Sequence, residues 1–323
     1  MKPFCRLFLP CLVLLLAGAG FSSARAGEPL RFAYQNRVGD AVPIVAVSRN
    51  FFAAEGLEVK ALQFNNGPAC AEALVTGGVD LATMGDTAAV LALARDSTLR
   101  ILGSHGAGEK RHRIVVPQHS PLRSVADLKG RRIGIKKGTS THGGFLALLA
   151  AQGITPGELT MTDLDPALMP DALAAGSLDA FAASEPTPSL AEMKGGRELA
   201  DLGGLGNNYP LLLLAKDSLL RKRDAELHRF FRALARAEAF IRQEPAAAAA
   251  ILSKETGLFP ALATKAMALH SYRLQLDGVT LASLKQIAAF LKEQKKIDRL
   301  PDFTAMSRDR YLPVMRDGRK TEK

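Results

Sequence analysis

The 323-residue sequence has no tryptophan, and aromatics make up only 6% of it. A surface built to stack bases or aromatic ligands is therefore not expected. Cysteine is nearly absent. Cys5 and Cys11 fall in an apolar N-terminal stretch, leaving Cys70 alone in the rest of the chain. No internal disulfide can brace that remainder, so its stability must come from ordinary cores, and a lone thiol survives best when buried. Catalytic and metal signatures are equally scarce. The chain lacks Cys-x-x-Cys, His-Glu-x-x-His, a Gly-rich dinucleotide turn and the Gly-Lys-Ser/Thr end of a phosphate loop. The run Gly138-Thr139-Ser140-Thr141-His142 is no nucleophile elbow, because no glycine stands two residues after the serine. His105, His112 and His119 are scattered without metal-ligand spacing. No catalytic residue, metal or cofactor is expected.

The first 26 residues contain no acidic residue. Lys2 and Arg6 precede the apolar run Leu7 to Gly20, and Ala24-Arg25-Ala26 supplies a small-x-small cleavage pattern. That run is too short to span a bilayer, which takes about 20 residues. Residues 1–26 thus predict a signal peptide cleaved after Ala26 and a protein exported to the periplasm. Removing Lys2, Arg6 and Arg25 reduces the formal charge from +10 to +7. The remaining basic residues are interspersed with acidic ones and not interleaved with aromatics, which reads as a solvated surface with no nucleic-acid partner.

Past the leader, short apolar runs alternate with helical stretches. Strands are expected at Leu30–Tyr34, Leu57–Phe64, Leu81–Met84, Arg100–Gly103 and Ile114–Val116, with helices at Pro43–Glu55, Ala69–Thr76 and Thr87–Arg95. The rhythm restarts with strands at Arg132–Ile135, Leu159–Asp163 and Ala180–Ala182, and helices at Gly143–Gln152 and Pro166–Ala175. One more strand, Leu211–Ala215, precedes a helical C-terminal third. This pattern predicts an α/β protein with two mostly parallel sheets, hence two lobes. Residues 27–115 and 210–310 are assigned to the first lobe, 116–209 to the second, and 311–323 to a flexible tail.

Three polar, glycine-containing loops sit where a strand feeds a helix: Asn65-Asn66-Gly67-Pro68, Gly85-Asp86-Thr87 and Gly138-Thr139-Ser140-Thr141-His142. Ligands of open α/β sheets bind at the carboxyl ends of strands, and the N–H groups and dipole of a helix N-terminus favour an anion. Any one loop alone reads as a helix cap; three spread over two lobes point to a site.

At this point a resemblance becomes specific. The segments Phe32–Gln35, Phe51–Val59, Phe64–Pro68, Gly78–Ala82 with Gly85–Thr87, Ser124–Gly134, Lys137–His142, Leu178–Ala180 with Glu185-Pro186, and Lys254–Leu258 occur in order over residues 30–260. Together they resemble the ABC-transporter solute-binding proteins for aliphatic sulfonates, taurine and nitrate. The resemblance implies a type II periplasmic binding fold, a monomer whose hinge closes two lobes over a small anionic or zwitterionic solute, and delivery to a membrane permease with its cytoplasmic ATPase. Carried over position by position, Gln35, Gly67, Pro68, Asp86 and Thr87 would line the first-lobe wall. Thr139, Ser140, His142 and Glu185 would line the second, with His142 donating to an anion and Asp86 capping its helix or receiving an ammonium.

One position departs from that family, whose members commonly carry an aromatic, often Trp, before the Glu-Pro pair. Here it is Ser184. An aromatic wall is replaced by space or a hydroxyl, which points to a bulkier or more polar solute. Binding needs no buried arginine: about four charge-assisted hydrogen bonds at roughly 1.5–3 kcal/mol each, aided by a helix N-terminus, reach the roughly 8 kcal/mol of micromolar affinity. Two other readings stand beside this one. The same fold serves enzymes of thiamine-pyrimidine synthesis, whose cysteine-rich motif is missing here, and menaquinone-pathway dehydratases. The trap could also present its ligand to a signalling receptor.

Overall fold

A computed structural model describes residues 28–313. The expected signal peptide and residues 314–323 of the expected tail lie outside the described residues. Among the described residues no helix is long and apolar enough to cross a membrane.

Ten strands form two five-stranded sheets. The first contains β1 (Leu30–Gln35), β2 (Val59–Phe64), β3 (Leu81–Gly85), β4 (Leu99–Gly106) and β10 (Leu211–Lys216), in the order β2-β1-β3-β10-β4. The second contains β5 (His112–Pro117), β6 (Arg132–Ile135), β7 (Thr160–Asp163), β8 (Ala180–Ser184) and β9 (Gly196–Asp201), in the order β7-β6-β8-β5-β9. Both sheets are mixed. β1 pairs in parallel with β2 and β3, while β10 runs antiparallel to β3 and β4. β6 pairs in parallel with β7 and β8, while β5 runs antiparallel to β8 and β9. The antiparallel half of each sheet has one cause. β5 and β10 are the strands on which the chain arrives from the other lobe, and each inserts against the direction of the local βα units.

The chain crosses between the lobes at residues 107–111 and 202–210. The first crossing therefore precedes His112, and residues 112–115 belong to the second sheet, not to the first lobe as the rhythm suggested. The two crossing segments touch, with the Gly108 N–H donating to the Asn208 carbonyl at 2.9 Å. Tyr311 is buried in the first-lobe core, so the tail begins later than residue 311.

Local sequence explains most elements. The run expected as one helix over Pro43–Glu55 is two, Ala41–Ser48 and Phe51–Ala54, because Asn50 between them adopts the left-handed conformation at φ 54°. The helix Asp224–Gln243 presents Leu227, Phe230, Phe231, Leu234 and Ile241 to Phe32 and Phe52 on one face of the first sheet. The helix Gly278–Glu293 covers the opposite face through Leu284, Ile287 and Leu291. β9 was not anticipated, because Arg197, Glu198 and Asp201 break up its apolar pattern at the sheet edge.

The floor between the lobes is dense in buried titratable groups. Asp40 is fully buried, accepts from the Arg37 Nε at 2.6 Å and from the Thr83 hydroxyl at 2.6 Å, and lies 3.7 Å from the His105 ring. Burial would raise its carboxyl, but Arg37, His105 and Thr83 together hold it below the usual carboxylate range. Burial drives His105 down to about 4. It pushes His112 well below its ordinary value, with Arg111 adding to the effect.

A histidine depressed in the folded state binds its proton more readily when unfolded. The protein therefore loses stability as pH falls from about 6.5 toward 4, by about 1.4 kcal/mol per pH unit for each fully buried histidine. Urea unfolding midpoints should drop between pH 7 and pH 5, and His105→Gln should flatten that drop. Midpoints that stay level over this range count against the buried-neutral assignment.

Candidate functional site

A cavity of about 180 Å3 lies between the lobes, at the carboxyl ends of β1, β2, β6, β7 and β8. The first lobe contributes Gln35, Asn36 and Arg37 after β1, Asn65 and Asn66 after β2, and Thr256. The second contributes Lys136 and Thr139–Thr141 after β6, Asp165–Ala167 and Met169 after β7, and Ala182–Thr187 with Leu190 around the end of β8.

The deep end carries donors. Gln35 Nε2, Arg37 Nη2 and Ser140 Oγ are buried polar atoms with no hydrogen-bond partner, and all three residues line this one cavity. The Arg37 guanidinium is held by its Nε bond to Asp40, which leaves Nη2 unpaired. Ser140 opens the 12-residue helix Ser140–Ala151, capped by Thr139, whose hydroxyl accepts from the His142 N–H at 3.2 Å. The free N–H groups and dipole of that first turn add to the donor end. The Thr141 hydroxyl sits 2.7 Å from His112 Nδ1, which fixes it from below. His112 in turn lies edge-on to the Tyr209 ring with centroids 4.6 Å apart.

The carboxylates on the wall are occupied. Glu185 is fully buried, accepts from Arg113 Nε at 2.8 Å, and also receives Arg113 Nη2. Burial pushes its carboxyl up, opposed by Arg113 and Ser189. Arg113 further bonds Glu192, Glu198 and the Ser189 hydroxyl, so this arginine ties together the helix after β8 and the neighbouring edge strand. Asp165 accepts from the Ala167 N–H at 3.1 Å and, across the cleft, from Asn66 Nδ2 at 3.4 Å.

Of the residues singled out in the sequence, the cavity brings together Gln35, Thr139, Ser140, Ser184 and Glu185. Five others do not line it. Asp86 is buried at the hinge, where it accepts from Asn207 Nδ2 at 2.7 Å and from the Thr87 N–H at 2.6 Å. It therefore anchors the second crossing segment. Thr87 faces Gly143 of the second lobe, where a Cβ would lie 2.5 Å from its hydroxyl. Gly67 is buried beside the Gln35 side-chain oxygen Oε1 and the Gly85 backbone, and Pro68 abuts Gly138 across the cleft. His142 turns back on its own loop, where its Nδ1 accepts from the Gly138 N–H at 3.3 Å. Burial, then Lys137 and Lys296, lower it to about 4. It is uncharged near neutral pH and offers no cation to an anion. Arg37 was missed altogether, since binding had been judged possible without a buried arginine. Its signal was positional: the first cation after the leading strand, two residues past Gln35.

Comparisons with known proteins bear on the family and the fold. The family described as "NMT1/THI5 like" matches residues 41–248. A protein of Escherichia coli (strain K12) named as an aliphatic sulfonates-binding protein is 31% identical over 252 residues, 76% of this chain and 77% of its own length. The taurine-binding periplasmic protein of the same strain is 27% identical over 194 residues, 59% of each chain. The alkanesulfonate-binding protein SsuA of Xanthomonas axonopodis pv. citri, solved bound to MOPS, superposes with a TM-score of 0.80 at 26% identity, covering 88% of this chain and all of its own. The fold is thus that of the periplasmic binding proteins. It is shared at 17% identity and a TM-score of 0.67 with the desulfurization enzyme DSZB, which covers 88% of this chain and 98% of its own, a likeness of fold alone.

Glu185 is the most buried of the three carboxylates that hold the Arg113 guanidinium, and Glu192 and Glu198 remain when it is truncated. Glu185→Ala should therefore cost about 1–3 kcal/mol of stability in the solute-free protein. A direct ligand role would instead leave solute-free unfolding unchanged and lower affinity alone. Chemical denaturation with and without solute separates the two.

Proposed function

The chain belongs to the NMT1/THI5-like family, and from that premise we propose that it is the solute-binding component of an ABC importer, capturing a small sulfonate between its lobes. One observation carries the reading. The three unpartnered buried donors, Gln35 Nε2, Arg37 Nη2 and Ser140 Oγ, belong to residues that line one interlobe cavity beside a helix N-terminus. Several donors from different directions suit the three oxygens of a sulfonate head, whose charge the guanidinium and helix dipole both favour. A planar nitrate would use the same donors but leave the rest of a cavity of about 180 Å3 without contacts.

The protein is an exported monomer of the periplasm that hands its solute to a permease driven by a cytoplasmic ATPase. The relatives named for sulfonate and taurine binding support that placement. An enzyme reading has less to stand on. Cys70 is fully buried, burial raises its thiol, and it lies outside the cavity. The Thr141 hydroxyl does lie 2.7 Å from His112 Nδ1, but burial holds that imidazole well below its ordinary value and so leaves it a weak base.

Arg37→Met should lower affinity for ethanesulfonate by about 10- to 150-fold, the range of one charge-assisted hydrogen bond. The substitution also frees Asp40 from its partner, so Ser140→Ala, expected to weaken binding by about 3- to 10-fold, serves as the milder companion. Isothermal titration of both variants checks this. Wild-type affinity in both would remove the donor cluster from the site.

A further inference from the structure

The donor end accounts for the head of the solute, while the remainder of the wall bears on its body. Resting on the sulfonate reading above, we propose that the solute is a small sulfonate whose carbon chain carries hydroxyl groups, and that the chain selects it over alkyl, amino and aromatic sulfonates.

No aromatic side chain lines the cavity among the described residues, so stacking is not available to an aryl body. Ala182, Ala183, Met169 and Leu190 give the wall an apolar part, and beside it Asn36, Asn65, Ser184 and Thr187 put amides and hydroxyls on the wall. Each of these groups both donates and accepts, as an alcohol does. A bare alkyl chain would desolvate them without replacing their hydrogen bonds, the situation in which binding sites discriminate most strongly.

The carboxylates weigh against an amine. The cavity wall has two: Glu185 is paired with the Arg113 guanidinium, whereas Asp165 accepts only from neutral donors, the Ala167 N–H and the Asn66 amide, and keeps its charge. The one wall carboxylate left to an ammonium is thus Asp165, on a wall that already carries the Lys136 ammonium and the Arg37 guanidinium. A neutral hydroxyl needs no counter-charge and meets no like charge. The body of the solute is thus polar and uncharged, and its only charge is the sulfonate.

The test is isothermal titration of the purified chain with matched two-carbon ligands (ethanesulfonate, taurine and 2-hydroxyethanesulfonate), a three-carbon pair (propanesulfonate and 2,3-dihydroxypropanesulfonate) and benzenesulfonate. The hydroxylated member of each set should bind about 10-fold or more tightly than its alkyl, amino and aryl counterparts. An alkyl, amino or aryl sulfonate that binds as tightly as the hydroxylated one overturns this inference and leaves the sulfonate reading intact. Binding of none of them overturns both. The double variant Asn65→Leu, Ser184→Ala tests the wall directly: the ratio of hydroxylated to alkyl sulfonate affinity within each pair should collapse toward one. A preference that survives in that variant places the discrimination elsewhere and overturns the assignment to this wall.

Discussion

The site depends first on a carboxylate cut off from water. Asp40 draws one partner from each of three places: the Arg37 guanidinium from the loop after β1, the Thr83 hydroxyl from β3, and the His105 ring from β4. Alone, a buried carboxylate would be protonated or would unfold its surroundings; with these partners it stays charged and rigid. Its consequence reaches the cavity. Arg37 has several rotatable bonds, and the Nε bond to Asp40 fixes them so that one face of the guanidinium is spent and Nη2 is left over. A flexible cation becomes a positioned donor, and the ordering cost is met in folding and not in binding.

The second lobe meets this floor only because side chains are missing in the right places. Ser140 packs onto Gly85, Gly143 onto Thr87, and Gly144 onto the Tyr209 ring, where added Cβ atoms would fall 2.5 Å from the Thr87 hydroxyl and 2.6 Å from the Tyr209 hydroxyl. The helix that offers its N-terminus to the cavity therefore lies in direct contact with the opposite lobe. Here glycine serves close approach, not a left-handed turn. Asp86 completes the arrangement by holding Asn207 of the second crossing segment, so strand end, helix start and hinge form one unit.

Much of this was legible in the sequence. The two runs of alternating strand and helix, and the loops Asn65–Pro68 and Gly138–His142, reveal themselves through short-range chemistry: apolar period, glycine, capping hydroxyls. The antiparallel insertion of β5 and β10 was not legible, because strand direction depends on which lobe the chain has just left. Side-chain partners were hidden for a related reason. Glu185 lines the cavity as its position suggested but accepts from Arg113, 72 residues away, and Asp86 is held by Asn207, 121 residues away, while His142 turns back to the Gly138 N–H. Arg37 was the converse case. Its importance lies in Nη2, a buried nitrogen its partner leaves unused, which no local pattern reports.

The same bookkeeping of used and unused groups explains how such a cleft can be responsive. On the closed wall the carboxylates are satisfied by the protein, whereas Gln35 Nε2, Arg37 Nη2 and Ser140 Oγ are not. When the lobes part, water can satisfy those donors; when they close without an acceptor, each costs about 1–3 kcal/mol. An anion removes that cost only in the closed form, where donors from both lobes reach it at once. Its affinity for the two forms therefore differs by just the quantity that closure alone would lose, and that difference is what allows a ligand to shift a conformational population. A wall whose donors were already paired would close equally well with or without solute.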